Sequence, residues 1–191
     1  MNMERSTDRR VQRTRRALRE ALVALMVERG WDEIGVQDIC GQANVGRSTF
    51  YMHFSSKEEL LISSFDNLRQ ELRARNATVT ERGEGPLPFA HGMIEHAYAN
   101  QRLFRAAIGK RSGYVVQRHF RELVAGLVQE DLSALAPAGW QRDASVRYLA
   151  GAFVELLTWW LDGRRAQKPG EIERLFDTLT KSAIGQLHAM K

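Results

Sequence analysis

Arg47, Ser48, Thr49, Tyr51 and His53 lie within one seven-residue stretch and carry the side chains best suited to recognition chemistry in this chain. A guanidinium, two hydroxyls, a phenol and an imidazole offer hydrogen bonds to base edges and phosphate oxygens. Phe50 and Phe54 are four residues apart, so on a helix they share one side and can anchor it to a core. The preceding segment, Val36 to Ala43, is short and amphipathic, and Asn44, Val45 and Gly46 separate the two. Asn tolerates positive φ better than any residue except glycine. Helix, tight turn, helix is the shape of a helix-turn-helix, whose second helix enters a DNA major groove.

Other helices must hold this unit. Leu18, Leu22, Leu25 and Met26 recur at helical spacing, extended by Val11, Thr14 and Ala21, and predict a first helix over Arg9 to Arg29. Gly30 should end it as a left-handed cap. Beyond the reading helix, Ser-Ser-Lys-Glu-Glu places a glutamate three residues after both Ser55 and Ser56, a capping box for a fourth helix. Its stripe of Leu60, Leu61, Ser64, Phe65, Leu68 and Leu72 reaches about Arg75, long enough to leave the head and enter a second domain. Asn76 to Pro88, with Gly83, Gly85, Pro86 and Pro88, predicts a loop. Further helices are expected over Phe89–Asn100, Arg102–Ile108, Tyr114–Leu135 and Gln141–Leu161, with a last one starting at Pro169. That last helix presents Ile172, Phe176, Leu179, Ala183 and Leu187. No segment reads as a strand. The expected fold is all-α, with a head over residues 1–55 and a helical body over residues 56–191.

Composition narrows the partners. The 191 residues carry a net charge of +5 and a pI near 9.7, which suits a polyanion. Arg5, Arg9, Arg10, Arg13, Arg15, Arg16 and Arg19 crowd the first twenty residues directly ahead of the helix-turn-helix, where they can hold phosphates or form a solvated helix end. Cys40 is the only cysteine, so no internal disulfide can form; between Ile39 and Ala43 it reads as a small buried filler. The basic N-terminus lacks the apolar stretch of a secretory signal. The apolar run Tyr148 to Leu161 is too short for a membrane span and is interrupted by Glu155, so a cytoplasmic protein is expected.

The run Asn44 to Leu61 resembles the DNA-reading segment of TetR-type bacterial transcriptional regulators. Their pattern is a Gly-Val turn, a Thr-(Leu/Phe)-Tyr triplet, a His-Phe pair and Ser-Lys-Glu-Glu-Leu, and nearly every position is filled here. The resemblance implies a three-helix head, a connecting fourth helix and a helical effector-binding body. It also implies a homodimer joined through the last two helices, a palindromic operator on double-stranded DNA, and a repressor released by a small molecule. An activator, or a regulator with a protein ligand, would keep the same head. By position, Arg47, Ser48, Thr49 and Tyr51 fall where family members touch bases and phosphates. His53 falls near a phosphate, Lys57 matches a backbone-contacting lysine, and Gln37 stands near the start of the second helix. Two positions depart from the pattern: Ile34-Gly35 replaces the usual hydroxyl before the second helix, and Gly46 replaces a serine before the third. Both weaken the expected hold on DNA.

The body also carries residues that could do other work. Met93, His96, Phe104, Tyr114, His119, Phe120, Phe153 and Trp159 are candidates to line an effector cavity, from a wider aromatic set that includes Phe89 and Trp160. Trp159 and Trp160 are adjacent and cannot share one environment. His91, Glu95 and His96 are the only dense group of metal-ligand types, but no Glu-x-x-His pair occurs, so neither a metal nor a cofactor is expected. Gly83-Glu84-Gly85 is too short for a phosphate loop. Lys110, Arg111, Arg118 and Arg121 form a basic group that reads as a solvated helix face. A helical-bundle enzyme or metal-binding protein is the reading of a different class, and it has no motif in its favour.

Overall fold

Helix α1 runs from Asn2 to Glu28, starting earlier than its apolar stripe. Leu18, Ala21, Leu22, Leu25 and Met26 are buried along one face. The structure is a computed structural model that describes residues 2–78, 85–109, 112–135, 137–163 and 167–189. Gly83, Lys110 and Arg111 lie outside the described residues, as do the side chains of Arg5 and Leu187. Gly30 corrects the expected cap: its φ of −67° and ψ of 155° are extended, not left-handed. The chain instead turns through a 3₁₀ segment, Trp31–Glu33, and Gly30 serves as its first flank. Trp31 and Ile34 are both buried, and they bring the chain back to the core.

Helix α2 (Val36–Ala43) ends in Asn44, whose φ of 53° makes it the only non-glycine residue with positive φ among those described. Val45 N–H donates to Cys40 C=O and Asn44 N–H to Gly41 C=O, the paired bonds of a Schellman motif. Two carbonyls that the helix end would strand are thereby satisfied. Helix α3 (Arg47–His53) follows after three residues. Ser56 Oγ accepts from Glu59 N–H at the start of α4 (Lys57–Thr78), while the Glu59 carboxylate reaches past Ser56 to Ser55 N–H at 2.6 Å. Helix α4 runs through Thr78, so the expected loop loses its first three residues to it.

The body comprises α5 (Phe89–Ala99), α6 (Gln101–Ile108), α7 (Tyr114–Ser133), α8 (Trp140–Asp162) and α9 (Pro169–Ala189). Helix α8 packs along α7, α9 packs on α5, and α1 of the head touches both α4 and α6. Phe89, Phe153 and Phe176 knit α5, α8 and α9 edge to face, each pair with centroids 4.9 Å apart. Trp160 is buried and stacks on Tyr98 while Trp159 is exposed, so the two tryptophans do part company. Among the described residues no helix is long and apolar enough to cross a membrane.

Polar ties fasten α4 to α7. Glu130 takes ion pairs from Arg69 and Arg73, and Glu58 accepts from Arg118 and from His119 Nε2, each at 2.7 Å. His119 Nδ1 faces Glu122 at 2.8 Å. The hydrogen bond from His119, followed by the charge of Arg118, holds the Glu58 carboxyl below its ordinary range. A carboxylate depressed in the fold stabilises fully above the ordinary glutamate range, about pH 4.3, and that stabilisation is lost as acid titrates the folded group below it. Glu58→Gln is therefore expected to flatten the acid-side fall in melting temperature. A profile from about pH 6 to about pH 3 checks this, and a curve parallel to wild type would count against the tie.

Candidate nucleic-acid interface

Two phenylalanines orient the reading helix. Phe50 is fully buried and Phe54 nearly so, with ring centroids 6.0 Å apart. With that side fixed inward, Arg47, Ser48, Tyr51 and Met52 of α3 stand exposed. Thr49 and His53 sit half-buried at the flanks, and Gln37 is exposed near the start of α2. The Tyr51 ring meets Phe50 edge-on at 5.4 Å, so its phenol is carried on a packed base. Met52 was not among the residues expected at the surface of α3, yet at 74% it is more exposed than Tyr51 at 51%. Its position, two residues from each inward phenylalanine, is the signal that could have found it.

Both glycine departures keep the local helix-start geometry. Gly35 N–H donates to Asp38 Oδ2 at 2.8 Å, the one half of a capping box that a glycine can make; the acceptor that a hydroxyl would offer to the helix's own N–H groups is missing. A Cβ on Gly46 would meet nothing closer than 3.8 Å, and its backbone is extended, so a serine would fit there. The loss at Gly46 is a hydroxyl, and the shape of the turn does not require glycine.

Lys57 has other work than the phosphate contact expected of it. Its ammonium donates to Trp31 C=O at 2.9 Å and to Ile34 C=O at 2.8 Å, and it lies 4.4 Å from the Trp31 ring centroid. Burial pushes its pKa down. Two of three N–H donors are thus spent fastening α4 to the turn between α1 and α2, directly ahead of the helix-turn-helix. Lys57→Met is expected to remove roughly 1.5–3 kcal/mol of stability, the range for a hydrogen bond to a charged group. The slope of log affinity against log salt on DNA should stay at the wild-type value. A slope shallower by about 0.9 would show instead that Lys57 neutralises a phosphate.

The arginine block divides. Arg9, Arg10, Arg13 and Arg16 are exposed on α1, and Arg16 pairs with Glu20 at 2.7 Å. Arg15 lies over the Phe54 ring at 4.8 Å and helps cover the back of α3. Burial, then the charge of Arg15, pushes the Arg19 guanidinium down. Cys40 is buried, and its thiol is raised by that burial, away from the reactive thiolate.

The expected effector residues do not converge. His96, Phe104 and Phe120 border one cavity of about 270 Å³. Met93 and Phe153 are fully buried and belong to the packed core, outside that cavity. Tyr114 is 74% exposed and Trp159 is exposed as well, because each faces outward from its own helix. His119 is held between Glu58 and Glu122 where α7 faces α4, and it is not part of that cavity's wall. The cavity draws the rest of its wall from residues that read only as helix stripes, chiefly Leu22, Val23 and Met26 of α1 and Leu61, Phe65 and Leu68 of α4. The three metal-ligand types at α5 also separate: His91 pairs with Glu173 of α9 at 2.9 Å, Glu95 is exposed, and His96 turns to the cavity. Arg118 and Arg121, read as a solvated face, pair with Glu58 and Glu155.

Comparison with known proteins agrees with this arrangement. Residues 18–63 match the family model of bacterial regulatory proteins of the tetR family, and residues 84–182 match a transcriptional regulator C-terminal region. An uncharacterized HTH-type transcriptional regulator of Bacillus subtilis strain 168, YxbF, is 44% identical over 59 residues; that stretch is 30% of this chain and spans only 16% of the relative's length. The crystal structure of a TetR transcriptional regulator from Streptococcus agalactiae 2603V superimposes with a TM-score of 0.66 at 26% identity, covering 92% of this chain and 98% of that one. Thermus thermophilus FadR, a TetR-family transcriptional repressor in complex with lauroyl-CoA, shares the fold at a TM-score of 0.58 and 20% identity, over 86% of this chain and 92% of its own.

Proposed function

The chain belongs to the TetR family of bacterial regulatory proteins, and on that premise we propose that it is a cytoplasmic homodimeric repressor released from a palindromic operator by a small molecule. The observation that carries this reading is the division of α3: Phe50 is buried with Phe54 behind it, while Arg47, Ser48, Tyr51 and Met52 are presented together. In a major groove, Arg47 reads a guanine bidentately, Tyr51, Ser48 and Thr49 reach bases or phosphates, and Met52 packs on a thymine methyl. His53 and Gln37 bond to phosphates at the flanks, and the exposed arginines of α1 add charge to the same approach. Lys57 acts from behind by fixing the turn.

Dimerisation through α8 and α9 is supported by what the chain leaves uncovered. Tyr148 and Trp159 are exposed along one stripe of α8 with Trp140 exposed at its start, and Leu175 and Leu179 are exposed along one of α9. A second copy would cover them in a four-helix contact. The two heads would then face half-sites about one helical turn apart. The cavity at the edge of the body favours a small molecule over a protein as effector. Such a molecule releases DNA only by binding the two states of the dimer unequally.

Selection of a random-sequence duplex library on the purified protein, with sequencing of what is retained, tests the reading. One enriched palindrome is the expected result and gives the half-site spacing. Retention without any enriched sequence, at low and at moderate salt, would reduce the head to a nonspecific basic surface.

A further inference from the structure

The cavity of about 270 Å³ lies at the junction of head and body, not in the middle of the body. Val23 and Met26 of α1 form one wall, Leu61 and Phe65 of α4 another, and Leu103 and Phe104 of α6 close it. A cavity of ~150 Å³ holds benzene, so this one suits a molecule of roughly ten non-hydrogen atoms. Its polar groups are few, and several of their donors are already turned onto the protein. Ser64 Oγ–H donates to Leu60 C=O at 2.9 Å, Asn67 Nδ2 to Glu71 at 2.7 Å, and Asn100 Nδ2 to His96 C=O at 2.9 Å. Oxygen lone pairs of Ser64, Asn67, Asn100 and Glu71 remain and outnumber the donors left, which are the second amide N–H of each asparagine and one imidazole N–H of His96, so the free hydrogen-bonding capacity is weighted toward acceptors. Glu71 is the one carboxylate among the lining residues, and burial holds His96 toward its neutral form. An anion placed here would meet the Glu71 carboxylate as a like charge; no lysine or arginine stands among the described lining residues, and Arg19 and Arg75, whose charges act on Glu71 and His96, lie behind the wall.

We propose that this junction cavity binds a small, uncharged, apolar molecule bearing a hydrogen-bond donor, of the size of a bicyclic phenol, and that the ligand bears directly on the DNA-reading head through α1. The site disfavours carboxylates and phosphates. Because Val23 and Met26 belong to the same helix as Leu18 and the arginine block, a molecule that wedges α1 from α4 and α6 moves the head without an intermediary in the body. The proposal rests on the reading of the chain as a ligand-responsive regulator. Its test uses the full-length protein without DNA, so its outcome and that of the operator selection are independent.

The probes are 2-naphthol and its anionic counterpart 2-naphthoate, titrated into protein carrying ¹³C-methyl methionine, with Met26→Leu to assign the Met26 signal. With 2-naphthol, the Met26 methyl is expected to shift and to show contacts to the ring protons. The Met52 methyl on α3, outside the cavity wall, should follow the same binding curve. 2-Naphthoate should bind about tenfold more weakly or worse, since its charge finds no partner. A Met26 methyl that stays unmoved up to the solubility limit of 2-naphthol overturns the site, and equal binding of 2-naphthoate overturns the ligand class. A Met26 shift with a stationary Met52 overturns the direct coupling to the head.

Discussion

Arg47→Ala combined with Tyr51→Ala is expected to weaken binding to the selected operator by between about thirtyfold and about twenty-five-thousandfold, while the melting temperature stays close to wild type. The size follows from two lost contacts, each worth about 1–3 kcal/mol of discrimination or affinity. The small effect on stability follows from burial: Arg47 and Tyr51 are exposed, and the packing of α3 rests on Phe50 and Phe54. Binding to unrelated DNA should fall far less, because Arg9, Arg10 and Arg13 still supply charge from α1. The ratio of operator to nonspecific affinity, measured at one salt concentration, is therefore the deciding quantity. If the double variant kept that ratio, sequence would be read elsewhere and the exposed face of α3 would have no part in it.

Local signals made the head and the helix ends legible. The Schellman motif at Asn44 needs only a residue that accepts positive φ, and the start of α4 needs only Ser56 and Glu59. Pro169 opens α9 for an equally local reason. Gly30 misled because glycine permits a left-handed cap without requiring one; the buried Trp31 and the 3₁₀ turn decided its conformation. The cavity was not legible, since its α1 wall consists of Val23 and Met26, residues that continue an ordinary helical stripe. Which neighbour such a stripe faces is set by tertiary packing, and α1 meets α6 across more than seventy residues of sequence. Tyr114 and Trp159 failed for the converse reason: aromatic type says nothing about which way a helix turns it. Lys57 shows the limit of reading by position, because a four-carbon stem can send its charge either outward to a phosphate or inward to the carbonyls of Trp31 and Ile34.

Phe50→Ala is expected to abolish operator binding without removing any residue that faces the DNA. Phe50 has no exposed surface, and its ring is the common neighbour of Phe54 and Tyr51. Truncating a buried phenylalanine to alanine costs about 3–5 kcal/mol, the lost burial plus the space left behind. That cost falls on the three-helix head, and it is large against the roughly 5–15 kcal/mol that stabilises a typical domain. The body should be spared, because its core of Phe89, Phe153 and Phe176 lies on α5, α8 and α9. The expected signature is a separate, earlier unfolding step for the head, lower by roughly 10 °C or more, with the main transition near wild type. Phe50→Leu, which keeps most of the volume, should restore a good part of both stability and binding. A variant that instead unfolded in one step at a much lower temperature would mean that head and body form a single cooperative unit. In that case α1, packed against both α4 and α6, would be the element that joins them.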